Sequence, residues 1–271
     1  MHEDVLKRLS EKMIFAPGQK GREIPAWLSR ALRAFAENVL HPHYPCFFGT
    51  RALNANMVYC SYVDGRGMRH VSEALAYFLD HCRVNPIAQF AVFFEPATLL
   101  THENVRDRFW AVLKDLQDSD PQNLDAGRPA QAVDPDHPAW EFTFRNTQMF
   151  VVGISPTYRA RRSRNLGDCM IMLFQPREVF DLLTETAGGG ARARAQIRQR
   201  LRLWDGIAPH RDLGVYGERH NREWKQYFLP DDGRPVTGRC PLSSAAQPSH
   251  QNPASEQGTA DGTDTEQEDP R

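Results

Sequence analysis

The chain has 271 residues, 41% hydrophobic and 10% aromatic, which suffices for one large domain or two small ones around a packed core. No apolar run reaches the roughly 18 residues a membrane-spanning helix needs, and a net charge of −1 does not mark a nucleic-acid-binding protein. The charge is uneven: residues 243–271 hold six acids against one arginine, so residues 1–242 carry a net +4.

The cysteines, at 46, 60, 82, 169 and 240, are odd in number and scattered, so no disulfide framework is expected. With acids and no apolar stretch in Met1–Arg8, no signal peptide is expected either, and a reducing, cytoplasmic setting follows.

Val5, Leu6, Leu9 and Met13 recur at helical spacing, until Phe15-Ala16-Pro17-Gly18 breaks the pattern. A second apolar stripe runs from Trp27 to Leu40, with Pro25 where a first helical turn tolerates it. Next comes His41-Pro42-His43-Tyr44-Pro45-Cys46-Phe47-Phe48-Gly49, whose two prolines forbid a helix and push their predecessors toward extended backbone. Met57–Val63 reads as a strand, His70–Cys82 as a helix, and Ala88–Phe94 as a strand apolar on both faces and hence central. Thr101–Leu116 is predicted helical with Thr101 as its cap. Residues 118–139, rich in aspartate and proline, read as a long loop.

Glu141–Phe144 and Gln148–Gly153 are predicted strands joined by a turn at Arg145-Asn146-Thr147, and Met170–Phe174 a further buried strand. A short helix is expected over Arg177–Thr186, a flexible joint at Gly188-Gly189-Gly190, and an arginine-rich helix over Ala191–Leu203. From Ser243 onward no aliphatic side chain larger than alanine occurs, and this acidic tail is expected to be disordered. Consecutive strands in the middle of an irregular alternation favour an α+β fold: one domain over 1–242 with a mixed or mainly antiparallel sheet, and the tail over 243–271.

Imidazole and thiolate on the stiff His41–Cys46 segment are side chains that transition metals and haem iron accept. The plainer alternative makes Cys46 a small buried hydrophobe in a loop. His41, His43 and Cys46 together would be the ligands of a metal-dependent hydrolase, although their spacing lacks the second ligand pair of a zinc site. Ser155 follows a predicted strand and invites a nucleophile reading, but Pro156 removes the amide an oxyanion hole would use. Arg159, Arg161, Arg162 and Arg164 form a cluster suited to carboxylates or phosphates. Few aromatics interleave with the arginines of 191–203, which argues against a base-stacking surface. Glu141, Glu218 and Glu223 are candidate carboxylates for a cationic substrate, and His220 a candidate iron ligand or proton shuttle.

Taken together, Tyr44-Pro45-Cys46, Phe109-Trp110, Phe142 and Phe144, Phe150-Val151-Val152-Gly153, the Arg161-Arg162 pair, Trp224-Lys225-Gln226-Tyr227 and Cys240-Pro241-Leu242 resemble the bacterial YqcI/YcgG family across most of residues 40–242. Some members are haem-dependent enzymes that oxygenate a guanidine. The resemblance is greatest to the branch that converts L-arginine to Nω-hydroxy-L-arginine in D-cycloserine-type antibiotic biosynthesis.

The resemblance implies a haem b monooxygenase acting on L-arginine. Cys46 would be the first choice of axial ligand, with His43, then His220, as alternatives and Cys240 still open. It implies a pocket walled by Phe47, Phe48, Tyr59 and Phe93, propionates paired with Arg161 and Arg162, and a guanidinium held by Glu141 or Glu218. Many members carry histidine where Ser155 stands here, so a ligand at that position would have to be replaced by another residue. No flavin or NADPH motif is present, so O2 with separate electron-donor proteins, or peroxide, would supply the oxidising power. Neither nucleic acid nor membrane is expected as a partner.

Overall fold

The computed structural model describes residues 2–243 apart from 16–22, 66–68, 84, 98–100, 122–132, 179 and 181–188. Its element order is α1 (His2–Glu11), α2 (Ala26–Val39), α3 (Phe47–Asn54), β1 (Val58–Val63), α4 (Arg69–Tyr77), β2 (Gln89–Phe94), α5 (His102–Asp118), β3 (Phe142–Phe144), β4 (Thr147–Ile154), β5 (Ile171–Pro176), α6 (Gly189–Asp205) and α7 (Trp224–Tyr227). The strands form a five-stranded sheet in the order β1-β2-β5-β4-β3. Only β1 and β2 pair in parallel; the other neighbours are antiparallel. This is the expected α+β architecture with a mixed, mainly antiparallel sheet.

Local chemistry accounts for most elements. The Thr101 side chain accepts from the Asn104 amide at 3.1 Å and starts α5. Arg145 and Asn146, at φ 47° and 58°, form the two-residue turn between β3 and β4, the left-handed pair that matches hairpin twist. The helix predicted over His70–Cys82 widens at Phe78–Cys82 into a π turn.

A helix not expected from the sequence, α3, begins immediately after Cys46. The prolines stop helix only as far as Cys46, and residues 47–54 contain none. The predicted helix 177–186, the joint at Gly188 and the tail beyond Ser243 fall largely outside the described residues; Gly189 and Gly190 already belong to α6.

Alternating strand residues build two cores. On one face Phe90, Val92 and Phe94 of β2, Met172 and Phe174 of β5, and Met149 and Val151 of β4 pack against Leu75 and Phe78, against Phe109 and Leu113 of α5, and against Trp224. Each fully buried phenylalanine there contributes roughly 1.5–3 kcal/mol. On the other face Val58, Cys60, Tyr62, Ala91 and Phe93 pack beneath α1 and α2 through Val5, Leu9, Leu28, Leu32 and Phe35. The cover from α1 and α2 lies on the β1–β2 half; over β4 and β5 a hollow remains, roofed by α6.

Candidate active site

The hollow is a cavity of about 370 Å³, at the small end of the ~300–1,000 Å³ typical of ligand sites. Phe150, Val152 and Ile154 of β4 with Leu173 and Gln175 of β5 make its floor. Ala193, Arg194, Ile197, Arg198 and Leu201 of α6 make the roof, and Tyr44, Pro45, Cys46 and Phe48 close one side. The 209–216 loop and Glu223 and Gln226, either side of the start of α7, close another.

Cys46 sits where the non-helical segment turns into α3, at the helix N-terminus. Burial pushes its thiol upward, against which the Gly49 and Phe48 amides, bonded to the sulfur, pull it down. The segment is fixed from several sides. Tyr44 is buried and donates from its hydroxyl to Ser163 O at 3.3 Å, Arg200 donates to Tyr44 O at 3.1 Å, and Thr50 Oγ1 donates to Val39 O at 2.8 Å.

His210, which the sequence reading passed over, also lines the cavity. Burial lowers its pKa, and both ring nitrogens are engaged: Nε2 donates to Arg234 O at 2.9 Å while Nδ1 accepts from the Asp212 amide at 3.2 Å. That tautomer leaves no lone pair for iron. Among the described residues that line the cavity, Cys46 is the soft donor with its sulfur available.

Two arginines lie beneath the 226–232 segment. Arg164 donates to Tyr227 O and Gln226 O, both at 2.7 Å; Arg161 donates to Pro230 O at 3.0 Å and Asp232 O at 2.8 Å. Asp205, raised by burial, accepts from the Ser163 amide at 2.7 Å and its hydroxyl at 2.9 Å. At the far end of β5, Arg177 forms a two-pronged pair with Glu141, one prong being Nε to Oε2 at 2.7 Å, and reaches Glu223 Oε1 at 3.2 Å. Its guanidinium lies 3.8 Å over the Tyr216 ring. Arg164 contacts Gly153 O and the Arg177 amide contacts Gln148 O, five strand residues apart, or roughly 16 Å along β4.

The structure gathers only part of the sequence-predicted set. Cys46, Phe48 and Arg161 line the cavity. Arg161, expected to meet a propionate, has its donors occupied by backbone carbonyls and contributes charge instead. Arg162 lines a separate groove with His41, His43, Arg200 and Trp204 and donates to Trp204 O. His43 therefore faces away from the cavity that Cys46 lines.

No three His, Cys, Asp or Glu side chains among the described residues are placed to hold a metal ion together, so the His41–His43–Cys46 hydrolase centre is not formed. Tyr59 and Phe93, expected as pocket walls, are core residues on opposite faces of the sheet, and Phe47 packs on Phe48 outside the lining. Glu218 and His220 are exposed on a turn; Cys240 is buried in the core of the opposite face. Glu141 is fully buried, paired with Arg177 and absent from the cavity lining, so it does not face a ligand there. Ser155 is buried, its hydroxyl bonded to Thr157 Oγ1 at 2.8 Å, and among the described residues the nearby His102 bonds Thr157 rather than Ser155.

Arg164, part of the 159–164 arginine cluster read from the sequence, does line the cavity; Arg177, Asp205 and His210 were missed because they converge only through the tertiary fold. One signal was available: Phe150, Val152 and Ile154 make β4 apolar on a second face, which the chain must cover with a helix or a ligand.

The α+β sheet thus brings a thiol, an apolar slot and buried arginines together around one cavity. The chain belongs to the YqcI/YcgG family, whose sequence profile matches residues 35–243. It is 33% identical to YcgG of Bacillus subtilis (strain 168) over 232 residues, 82% of this chain and 90% of the relative. It is 31% identical to YqcI of the same strain over 230 residues, 81% and 89% of the two chains. A Streptomyces lavendulae protein named "Putative N(omega)-hydroxy-L-arginine synthase DcsA" is 29% identical over 240 residues, 83% of this chain and 87% of that one. No solved structure matches this chain. Among the described residues no helix is long and apolar enough to cross a membrane.

Proposed function

We propose that this protein is a haem-dependent monooxygenase that hydroxylates the guanidino group of L-arginine to Nω-hydroxy-L-arginine. The observation that carries the reading is the placement of the Cys46 thiol at a helix N-terminus, opening into an apolar slot edged by arginines. Those residues fit haem: a soft donor for iron, flat apolar walls for the macrocycle, and cations for two propionates. The name of the Streptomyces lavendulae relative supports arginine as substrate.

Haem held by a thiolate would supply activation of dioxygen. One oxygen atom ends in the N–OH group and the other in water, with two electrons and two protons from separate donor proteins; peroxide would replace both O2 and the donors.

The chain's own residues supply the rest. Cys46 Sγ would hold the iron, while the Phe48 and Gly49 amides orient the sulfur and offset part of its negative charge. Because burial favours the neutral thiol, binding iron there would require loss of its proton, and haem affinity would be expected to rise with pH. Arg194 and Arg198 on the roof would offer guanidinium groups to the propionates, in place of Arg161 and Arg162, Arg198 already giving one N–H to Leu213 O at 2.6 Å. Arg161 and Arg164 keep that end of the slot positive, and α6 shields it from water.

The test is incubation of the haem-supplemented protein with L-arginine, O2 and a reducing system, or with peroxide, followed by mass spectrometry. Nω-hydroxy-L-arginine that depends on haem supports the reading. Haem uptake without product would favour a protein that only binds its ligand, which the excess of arginine over carboxylate along the cavity also suits. Absence of haem uptake refutes it.

A further inference from the structure

Resting on arginine as substrate, we propose that the Glu223 carboxylate, held by Asn221 and Gln226, is the subsite that receives the substrate's guanidinium. Two carboxylates line the cavity among the described residues, Asp205 and Glu223. Asp205 lies near both Arg161 and Arg164, whose two charges outweigh its own and repel a cationic ligand. Glu223 is different. Its Oε2 accepts from Asn221 Nδ2 at 2.9 Å and from Gln226 Nε2, and its Oε1 accepts from Arg177 at 3.2 Å. A carboxylate has about four acceptor positions, so Oε1 keeps one that no described residue fills.

Charge points the same way. Glu141 answers the Arg177 cation with a two-pronged pair, so Arg177, Glu141 and Glu223 together carry one uncompensated negative charge in a buried setting. Such a charge is unfavourable until a counterion arrives. Consistently, burial pushes the Glu223 carboxyl upward despite its bonds to Asn221, Arg177 and Gln226. Phe150, Phe180 and Tyr216 line the same end, and aromatic faces suit a planar guanidinium better than a compact ammonium. Arg177 shows the corner's preference, stacked on Tyr216 and 5.3 Å from the Phe180 ring.

The loop contributes a positioning residue. A side chain on Gly214 would overlap the Asn221 amide, so the bare backbone at 214 is what lets Asn221 turn toward Glu223. Gly214→Ala is expected to weaken binding of the guanidine ligand less than Glu223→Gln does.

The experiment is calorimetric titration of the full-length chain with L-arginine, agmatine and L-citrulline, which has a neutral ureido group in place of guanidinium. The wild-type chain is expected to bind arginine and agmatine, and citrulline on the order of 10- to 100-fold more weakly, the range set by a charged hydrogen bond. Arginine affinity should fall as pH is lowered and Glu223 takes up its proton. Glu223→Gln should bind arginine on the order of 10- to 100-fold more weakly, with that pH dependence gone. If the wild-type chain binds arginine and citrulline equally, or Glu223→Gln binds arginine as the wild type does, the subsite is refuted while the arginine reading stands. If the wild type binds no guanidine and makes no hydroxyarginine, the reading itself falls. The ligand series needs no variant, so a misfolded Glu223→Gln would not remove the test.

Discussion

On one face of the sheet, Phe90, Phe142 and Phe174 sit ring against ring beneath helices, without measurable exposure. On the other face of the same sheet, Phe150 and Val152 of β4 and Leu173 of β5 face a cavity rimmed by arginine. The strands are equally apolar on both sides; what differs is the cover. The first face is sealed by side chains of the chain itself, whereas the second, over β4 and β5, leaves a slot that a ligand of mixed character would complete. Apolar strand residues thus hold the fold on one side and line a cavity on the other.

Substitutions that separate the two faces sharpen this contrast. Phe174→Ala, on the sealed face, is expected to lower stability by about 3–5 kcal/mol, read as a large fall in denaturant midpoint. Cys46→Ala should abolish haem retention and hydroxyarginine formation while the midpoint moves by under ~1.5 kcal/mol. A midpoint loss as large as that of Phe174→Ala would make Cys46 a core residue instead. Arg194→Ala with Arg198→Ala should speed haem loss on the order of tenfold, by removing charged hydrogen bonds, without a matching loss of stability.

Asp231 provides a pH test. Burial alone would raise its carboxyl, but the amides of Arg161, Ala160 and Arg159 outweigh it and hold it below the usual range. A lowered folded pKa stabilises the fold at pH above the unfolded value and is lost as pH falls through the folded one, below about pH 4. Asp231→Ala should destabilise by on the order of 1 kcal/mol or less near neutrality, solvent screening its partly exposed bonds, with the difference from wild type shrinking in acid. Smallest of all, removing residues 244–271 should leave both the melting temperature and haem retention unchanged.

Local signals in the sequence carried the sealed face well. Period-two and period-3.6 patterns located the strands and most helices, Thr101 marked a cap, and Arg145-Asn146 marked a hairpin, because each depends on neighbouring residues. Helix α3 escaped because the prolines drew attention to where helix stops and not to where it resumes. Of the cavity lining, Cys46 was legible, because a stiff segment and a soft donor coincide there. Placement was illegible at Glu141, whose partner Arg177 is 36 residues away in sequence, and at Arg162, whose neighbour Arg161 alone turns into the cavity. Which of two adjacent arginines, or of several glutamates, reaches a cavity is decided by long-range packing that no spacing encodes.

The central claim, that Cys46 makes the open face a haem site, is tested most directly by the absorption spectrum of the haem-supplemented protein, ferric and then ferrous under carbon monoxide. A strongly red-shifted carbonyl Soret band, lost in Cys46→Ala, is the result expected of thiolate ligation. An unshifted carbonyl band, or no Soret band at all, would contradict it.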